Sequence, residues 1–379
     1  MNGEAFFQQA LQHFSRQNIP AANQALTQAA QFGHSMATLY LAEQYFRQRP
    51  DDAYQFLQQR WNAGVKGTLH RLVTLKAFFD EPDLTVADFK LLHSEAIAGH
   101  AESILILLNL SDGHKDQVFY AALLQRFAPR LLHDLALHDL TNQVKEYAEQ
   151  NADIDDLLEY VCRSWFARTH HEPVLTVEKI GIKLYRKVIS QLCCNYITLR
   201  LQPHLQPSMV HDPVTGKGIK NDIRTSDIVP ITPDHLDWFC LEIDMILESL
   251  TGISRKRGES MNLLRYKNHQ EYKPHYDAIV GQGPEFDKIL SDGGQRVKTA
   301  ITYLSDNYTG GETEFPKLGI RVKGNVGDVL IFDNWTRDGA TLRDSYHSGR
   351  PVTQGTKWIL TKWLRESSTH YGGMVYPMK

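Results

Sequence analysis

The chain changes texture part-way along, and no single layer of secondary structure accommodates both textures. From residue 1 to about residue 170, apolar residues recur at spacings of three and four, and glycine and proline are sparse. Leu39, Leu41, Ala42, Tyr45 and Phe46, for instance, share one helical face. Breaks fall at Pro50-Asp51-Asp52, Glu81-Pro82-Asp83 and Ser111-Asp112-Gly113. The stretch from about 150 to 202 still reads as helix, including DIDDLLEYVCRSWFA and KLYRKVISQLCCNYI. Beyond residue 205, short β-branched and aromatic runs alternate with turns: VKTAITYL (297–304), IRVKG (320–324), GDVLIF (327–332) and KWILTKWL (357–364). Many short strands read as a sandwich or barrel. The expectation is two domains, an all-α one over 1–170 and a strand-rich one over 171–379.

Composition excludes several classes. With 42% hydrophobic and 22% charged residues the chain is neither disordered nor fibrous. A net charge of -3 gives no electrostatic reason to expect nucleic acid as a partner. No apolar run reaches the roughly 18–20 residues of a membrane span, and the N-terminal MNGEAFFQQALQHFSRQ does not read as a signal peptide. Cys162, Cys193, Cys194 and Cys240 form neither a disulfide framework nor a CxxC pair. The reading is a cytoplasmic protein with no membrane partner, its oligomeric state open.

A faint repeat underlies the helical half. AAQFGHSMATLYL (29–41), RWNAGVKGTLHRL (60–72) and EAIAGHAESILIL (95–107) align on Gly33, Gly64 and Gly99. Each glycine is followed by a small residue, Ala37, Thr68 or Ser103, and then by Leu41, Leu72 or Leu107. A glycine that ends one helix, with a small residue that lets the next pack closely, is what stacked helix pairs require. The pattern resembles Sel1-like repeats, relatives of the tetratricopeptide family. An irregular bundle without a repeat is the alternative.

Metal-ligand spacing is abundant in this sequence, so spacing by itself decides nothing. In a strand, i and i+2 face the same way, and His-x-Asp can place imidazole and carboxylate on one ion. Seven histidines have a carboxylate two residues on: His93/Glu95, His100/Glu102, His114/Asp116, His170/Glu172, His235/Asp237, His269/Glu271 and His275/Asp277. Three of these lie in the helical half, where i and i+2 diverge. His235/Asp237 opens a helical run. His275-Tyr276-Asp277 lies in an aromatic, strand-like context, and His347 follows several predicted strands later. Two histidines and one carboxylate on one face of iron(II) leave three positions open for a chelating co-substrate and dioxygen. Lys357, opening an apolar strand, is tolerable there if a carboxylate meets it.

These residues carry a resemblance. DIRTS (222–226), LLRYKNHQEYKPHYD (263–277), GGQRVKTAITYLSD (293–306), GGETEFP (310–316), GDVLIF and HSGRPVTQGTKWILTKWLR (347–365) resemble, in order and spacing, the catalytic domain of 2-oxoglutarate/Fe(II) dioxygenases of the prolyl 4-hydroxylase type. The resemblance implies an α+β chain: a helical-repeat domain, then a double-stranded β-helix of jelly-roll type. It implies His275, Asp277 and His347 as iron ligands. It pairs Lys357 and Tyr303 with the C5 carboxylate of 2-oxoglutarate. Tyr266 stands beside the co-substrate and Thr299 lines its pocket. Arg296, Trp363 and Arg224 border the substrate. The implied activity hydroxylates an unactivated C–H bond, most simply of a prolyl residue in a protein recruited by the helical domain. It consumes O2, converts 2-oxoglutarate to succinate and CO2, and uses ascorbate as reductant. The same chemistry on a free amino acid or other small molecule, a catalytically silent helical adaptor, and a non-redox metal protein are the alternatives. The intact ligand set argues against the second, and Lys357 with Tyr303 against the third. Trp335 and Arg337 read as loop residues near the mouth, His170-His171 as a linker feature, and GGET as a tight turn.

Overall fold

The computed structural model describes residues 2–79, 84–147, 152–168, 171–208, 210–211, 218–219, 223–336 and 338–376. The Glu81-Pro82-Asp83 break, His170, Asp222 and Arg337 lie outside the described residues. The chain divides into two compact units, Met1–Ala167 and Arg168–Lys379.

The first unit is helical throughout its described residues, from Gly3–Ser15 to Ile154–Ala167. Gly33, Gly64 and Gly99 all take positive φ, just past helices ending at Gln31, Asn62 and Ile97. Only a residue without a Cβ adopts that conformation at no steric cost. Ala37, Thr68 and Ser103 are each fully buried. Leu41 and Leu107 are buried as well, whereas Leu72 is partly exposed. The spacing therefore marks real helix ends and close-packing points. No helix among the described residues is long and apolar enough to cross a membrane.

The second unit is built on strands β1 (Leu175–Val177), β2 (Ile182–Tyr185), β3 (Gln206–Pro207), β4 (Val210–His211), β5 (Gly218–Ile219), β6 (Asp227–Pro230), β7 (Asn262–Tyr266) and β8 (Tyr272–His275). They continue as β9 (Arg296–Tyr303), β10 (Tyr308–Gly310), β11 (Thr313–Phe315), β12 (Ile320–Val322), β13 (Val329–Asp333), β14 (His347–Gly349), β15 (Val352–Gly355) and β16 (Lys357–Arg365). A major antiparallel sheet runs β1-β2-β13-β9-β16-β7-β6-β3, and a minor one β12-β11-β14-β8. Leu264, Tyr266, Ile301, Tyr303, Phe332 and Ile359 of the major sheet form one buried cluster with Phe315 and Val322 of the minor. This is the double-sheet jelly-roll architecture, and it follows from side chains alternating across each strand.

Helix Trp238–Thr251 covers the other side of the major sheet. Lys362, fully buried on the face of β16 opposite Lys357, meets Asp244 of that helix at 2.9 Å. Burial on both faces explains why β16 reads as a nearly continuous apolar run. The helical expectation for KLYRKVISQLCCNYI is corrected in its first part. Ile182–Tyr185 is β2, paired with β13, and the helix begins at Gln191 behind a Ser190 cap. A run this short carries either period, and the partner strand decides it.

Candidate active site

The minor sheet sets the first geometry. His275 on β8 and His347 on β14 are direct cross-strand partners. Asp277, just beyond β8, is buried beside them. Its Oδ1 lies 3.4 Å from His275 Nε2 and its Oδ2 3.6 Å from His347 Nε2. Two atoms bonded to one ion at about 2.1 Å stand no more than about 4.2 Å apart, and both distances fall inside that limit. Among the described residues this is the one cluster of three such side chains close enough to hold a metal.

Hydrogen bonds settle which ring nitrogens are free. His275 Nδ1 lies 2.7 Å from the Lys273 carbonyl, and His347 Nδ1 lies 2.8 Å from the Ser345 carbonyl. A carbonyl only accepts, so each Nδ1 carries a proton and each Nε2 is the nitrogen turned toward the site. Burial alone would push the Asp277 carboxyl up, but its neighbours His347 and His275 and the Thr299 hydroxyl outweigh it and hold the carboxyl well below the usual range. Burial, helped by His275, pushes His347 down to about 4, with Asp277 opposing. The donors are thus two imidazoles and one carboxylate, a set suited to iron(II).

Thr299 supports the carboxylate through a directed chain. Its hydroxyl donates to Asp277 Oδ2 at 2.7 Å, so its oxygen can only accept from Asn334 Nδ2, 2.8 Å away. Asn334 is fully buried, and sequence reading passed over it. Partners of this kind typically carry about 10–100-fold in metal affinity. Thr299→Val should therefore weaken Co(II) binding by about that factor, read from the cobalt absorption spectrum. An unchanged binding curve would show that the hydroxyl gives no support.

Lys357 lies deeper, 3% exposed, at the start of β16. Its Nζ donates to the Gly311 carbonyl at 2.7 Å, and no carboxylate lies within ion-pair distance among the described residues. Burial pushes its ammonium down to about 8, with Glu312 partly opposing. Gly310 and Gly311 both take positive φ, and a Cβ on Gly311 would stand 3.2 Å from Lys357 Cδ. GGET is therefore the tight turn expected, and it brings a carbonyl onto the lysine. Tyr303 and Tyr266 flank the ammonium, 5.8 and 5.6 Å from ring centre to Nζ. The Tyr303 hydroxyl shares a 3.0 Å hydrogen bond with Thr313, a buried pocket-lining residue that sequence reading also missed. Its inward register on β11 was the available signal.

A pocket lined by His275, Asp277, His347, Thr299, Tyr266 and Lys357 joins these parts. Arg224, Tyr272 and Trp363 line both this pocket and an open groove of about 860 Å³. Arg296 faces only the groove, clamped by Glu259 at 2.7 and 2.8 Å and stacked 3.7 Å over the Trp363 ring.

The other described His/carboxylate pairs serve the fold. Glu95 accepts from the backbone of Gly67 and Leu69, and His93 meets the Tyr120 hydroxyl. His100 stands at the N-cap position of helix Ala101–Leu110, with no capping bond from its side chain. His114 meets Asp156. Asp237 caps helix Trp238–Thr251. His269 sits in a turn at positive φ.

Residues 261–365 match the 2OG-Fe(II) oxygenase superfamily. Prolyl 4-hydroxylase 1 of Arabidopsis thaliana is 36% identical over 190 residues, which span 46% of this chain and 65% of that protein. Probable prolyl 4-hydroxylase 10 of the same plant is 31% identical over 247 residues, 60% of this chain and 80% of that protein. The chain belongs to the prolyl 4-hydroxylase group of the 2OG-Fe(II) oxygenase superfamily. Among solved structures, the viral collagen prolyl hydroxylase of Paramecium Bursaria Chlorella virus-1 is similar at 22% identity and a TM-score of 0.39, over 48% of this chain and 95% of that one. Iron(II), 2-oxoglutarate and dioxygen are the reagents of this superfamily, and the donor set and the buried, carboxylate-free Lys357 both fit them.

Proposed function

We propose that this oxygenase hydroxylates a prolyl residue of a protein. The observation that carries the chemistry is one pocket holding both a two-histidine, one-carboxylate donor set and a buried lysine with no carboxylate of its own. His275, Asp277 and His347 would hold iron(II), which supplies the oxidising step with dioxygen while 2-oxoglutarate becomes succinate and CO2. Lys357 would meet the C5 carboxylate with a charge-assisted bond, and Tyr303 and Thr313 would complete its hydrogen bonds. Tyr266 and Thr299 would border the co-substrate. Tyr272, Trp363, Arg296 and Arg224 would orient the substrate from the groove. The names of the relatives and the groove's aromatic walls support proline as the target. Ascorbate would restore iron oxidised in turnover without substrate, and reduced cysteines fit a cytoplasmic setting.

The test is succinate release with a proline-containing peptide, together with a gain of one oxygen on that peptide. Turnover that persists in chelator, or without 2-oxoglutarate, would overturn the chemistry. Hydroxylation of a free amino acid but of no peptide would overturn the substrate class.

The helical unit, Met1–Ala167, would recruit the protein substrate and give no metal ligand. A chain beginning at Arg168 should still bind metal and slowly decarboxylate 2-oxoglutarate, yet lose most activity on the physiological protein. Retained activity on that protein would remove the recruiting role.

A further inference from the structure

We propose that the substrate carries a carboxylate side chain close to its target proline, and that Arg224 is the docking point for it; this rests on the prolyl reading above. Arg224 stands where the groove and the metal pocket meet. Its Nε is buried with no hydrogen-bond partner, and no carboxylate pairs with its guanidinium among the described residues. The other arginine that lines the groove, Arg296, is neutralised within the fold by Glu259. The described lining of the groove includes no aspartate or glutamate. Lys357 already provides a cation for the distal carboxylate of the co-substrate, so the Arg224 charge is left for another anion.

The backbone that carries Arg224 is also held in place. Residues 223–225 are strapped along β8 by Lys273 N donating to Ile223 O at 2.8 Å, Thr225 N to Glu271 O at 3.1 Å, and Glu271 N to Thr225 Oγ1 at 2.9 Å. Arg224 lies 5.4 Å over the Tyr272 ring, which itself stacks on His275 with centroids 3.5 Å apart. A planar fork lying over the Tyr272 ring, with a desolvated and unsatisfied N–H, is matched by a carboxylate, which accepts two parallel bonds. Docking there would press on the stack that ends at His275.

The probe is a set of capped peptides, each with one proline in a neutral background. One glutamate is placed at each flanking position in turn, and each peptide has its glutamine counterpart. Binding to the full chain with Mn(II) and 2-oxoglutarate is measured calorimetrically without oxygen. At one position, glutamate should bind at least about tenfold more tightly than glutamine, as a charge-assisted bond allows. Arg224→Gln should bring that ratio to within about twofold of one, and Arg224→Lys should keep part of it. No position favouring glutamate in the wild type overturns the proposal, and that comparison needs no variant. A ratio that survives Arg224→Gln overturns it too. So does a rise in the 2-oxoglutarate constant with an unchanged peptide ratio, which would put the co-substrate's own carboxylate on Arg224. If no proline peptide of either charge binds while 2-oxoglutarate is still turned over slowly, the prolyl reading fails and takes this proposal with it.

Discussion

Lys357→Ala should raise the 2-oxoglutarate constant by at least about a hundredfold while metal binding holds. Removing one partner of a desolvated ion pair leaves the other charge buried and unpaired, at about 3–5 kcal/mol. At about 1.4 kcal/mol per decade this is about two to four decades. The pH dependence provides an internal check. The bound dianion requires the ammonium, and burial has pushed Lys357 down to about 8. The constant should therefore be flat below that value and weaken about tenfold per pH unit above it. Lys357→Arg should bind less tightly than wild type but lose this alkaline limb, because guanidinium does not titrate there. A constant for Lys357→Ala within about threefold of wild type would remove Lys357 as the clamp. Arg224, which lines the same pocket, would then be the next cation to test, because Arg350 pairs with Glu314 at 2.9 Å and Lys362 points to the opposite face, toward Asp244.

The second large effect separates two sequence-identical spacings. Asp277→Ala removes one of three donors and should weaken metal binding by more than the roughly 10–100-fold that loss of a supporting partner costs. Asp237→Ala removes a helix cap and the Arg200 ion pair. It should lower stability by about 0.5–2 kcal/mol, read as a lower melting temperature. Its metal stoichiometry should stay that of wild type. The reverse pattern would mean that the wrong His-x-Asp pair had been assigned to the site.

Much of this molecule is legible in its sequence because the signals are local. Helical period and left-handed glycines mark the first unit residue by residue. Short β-branched and aromatic runs bounded by turns mark β9, β13 and β16, and their near-continuous apolar character reflects burial on both faces. His275, Asp277, His347 and Lys357 are readable as a set because their order survives along the chain, even though six other pairs share the same spacing. What distinguishes His275/Asp277 physically is strand context, where i and i+2 face together. Tertiary structure alone decided the rest. Pairing with β13 made Ile182–Tyr185 a strand. Burial on opposite faces of β16 gave two lysines opposite environments, one with Asp244 and one with only the Gly311 carbonyl. The support of Asp277 by Thr299 and Asn334, and of Tyr303 by Thr313, joins residues on different strands, and no periodicity encodes those contacts. Local sequence sets which conformations are cheap, but only packing brings distant side chains within the few ångströms at which hydrogen bonds and charge act.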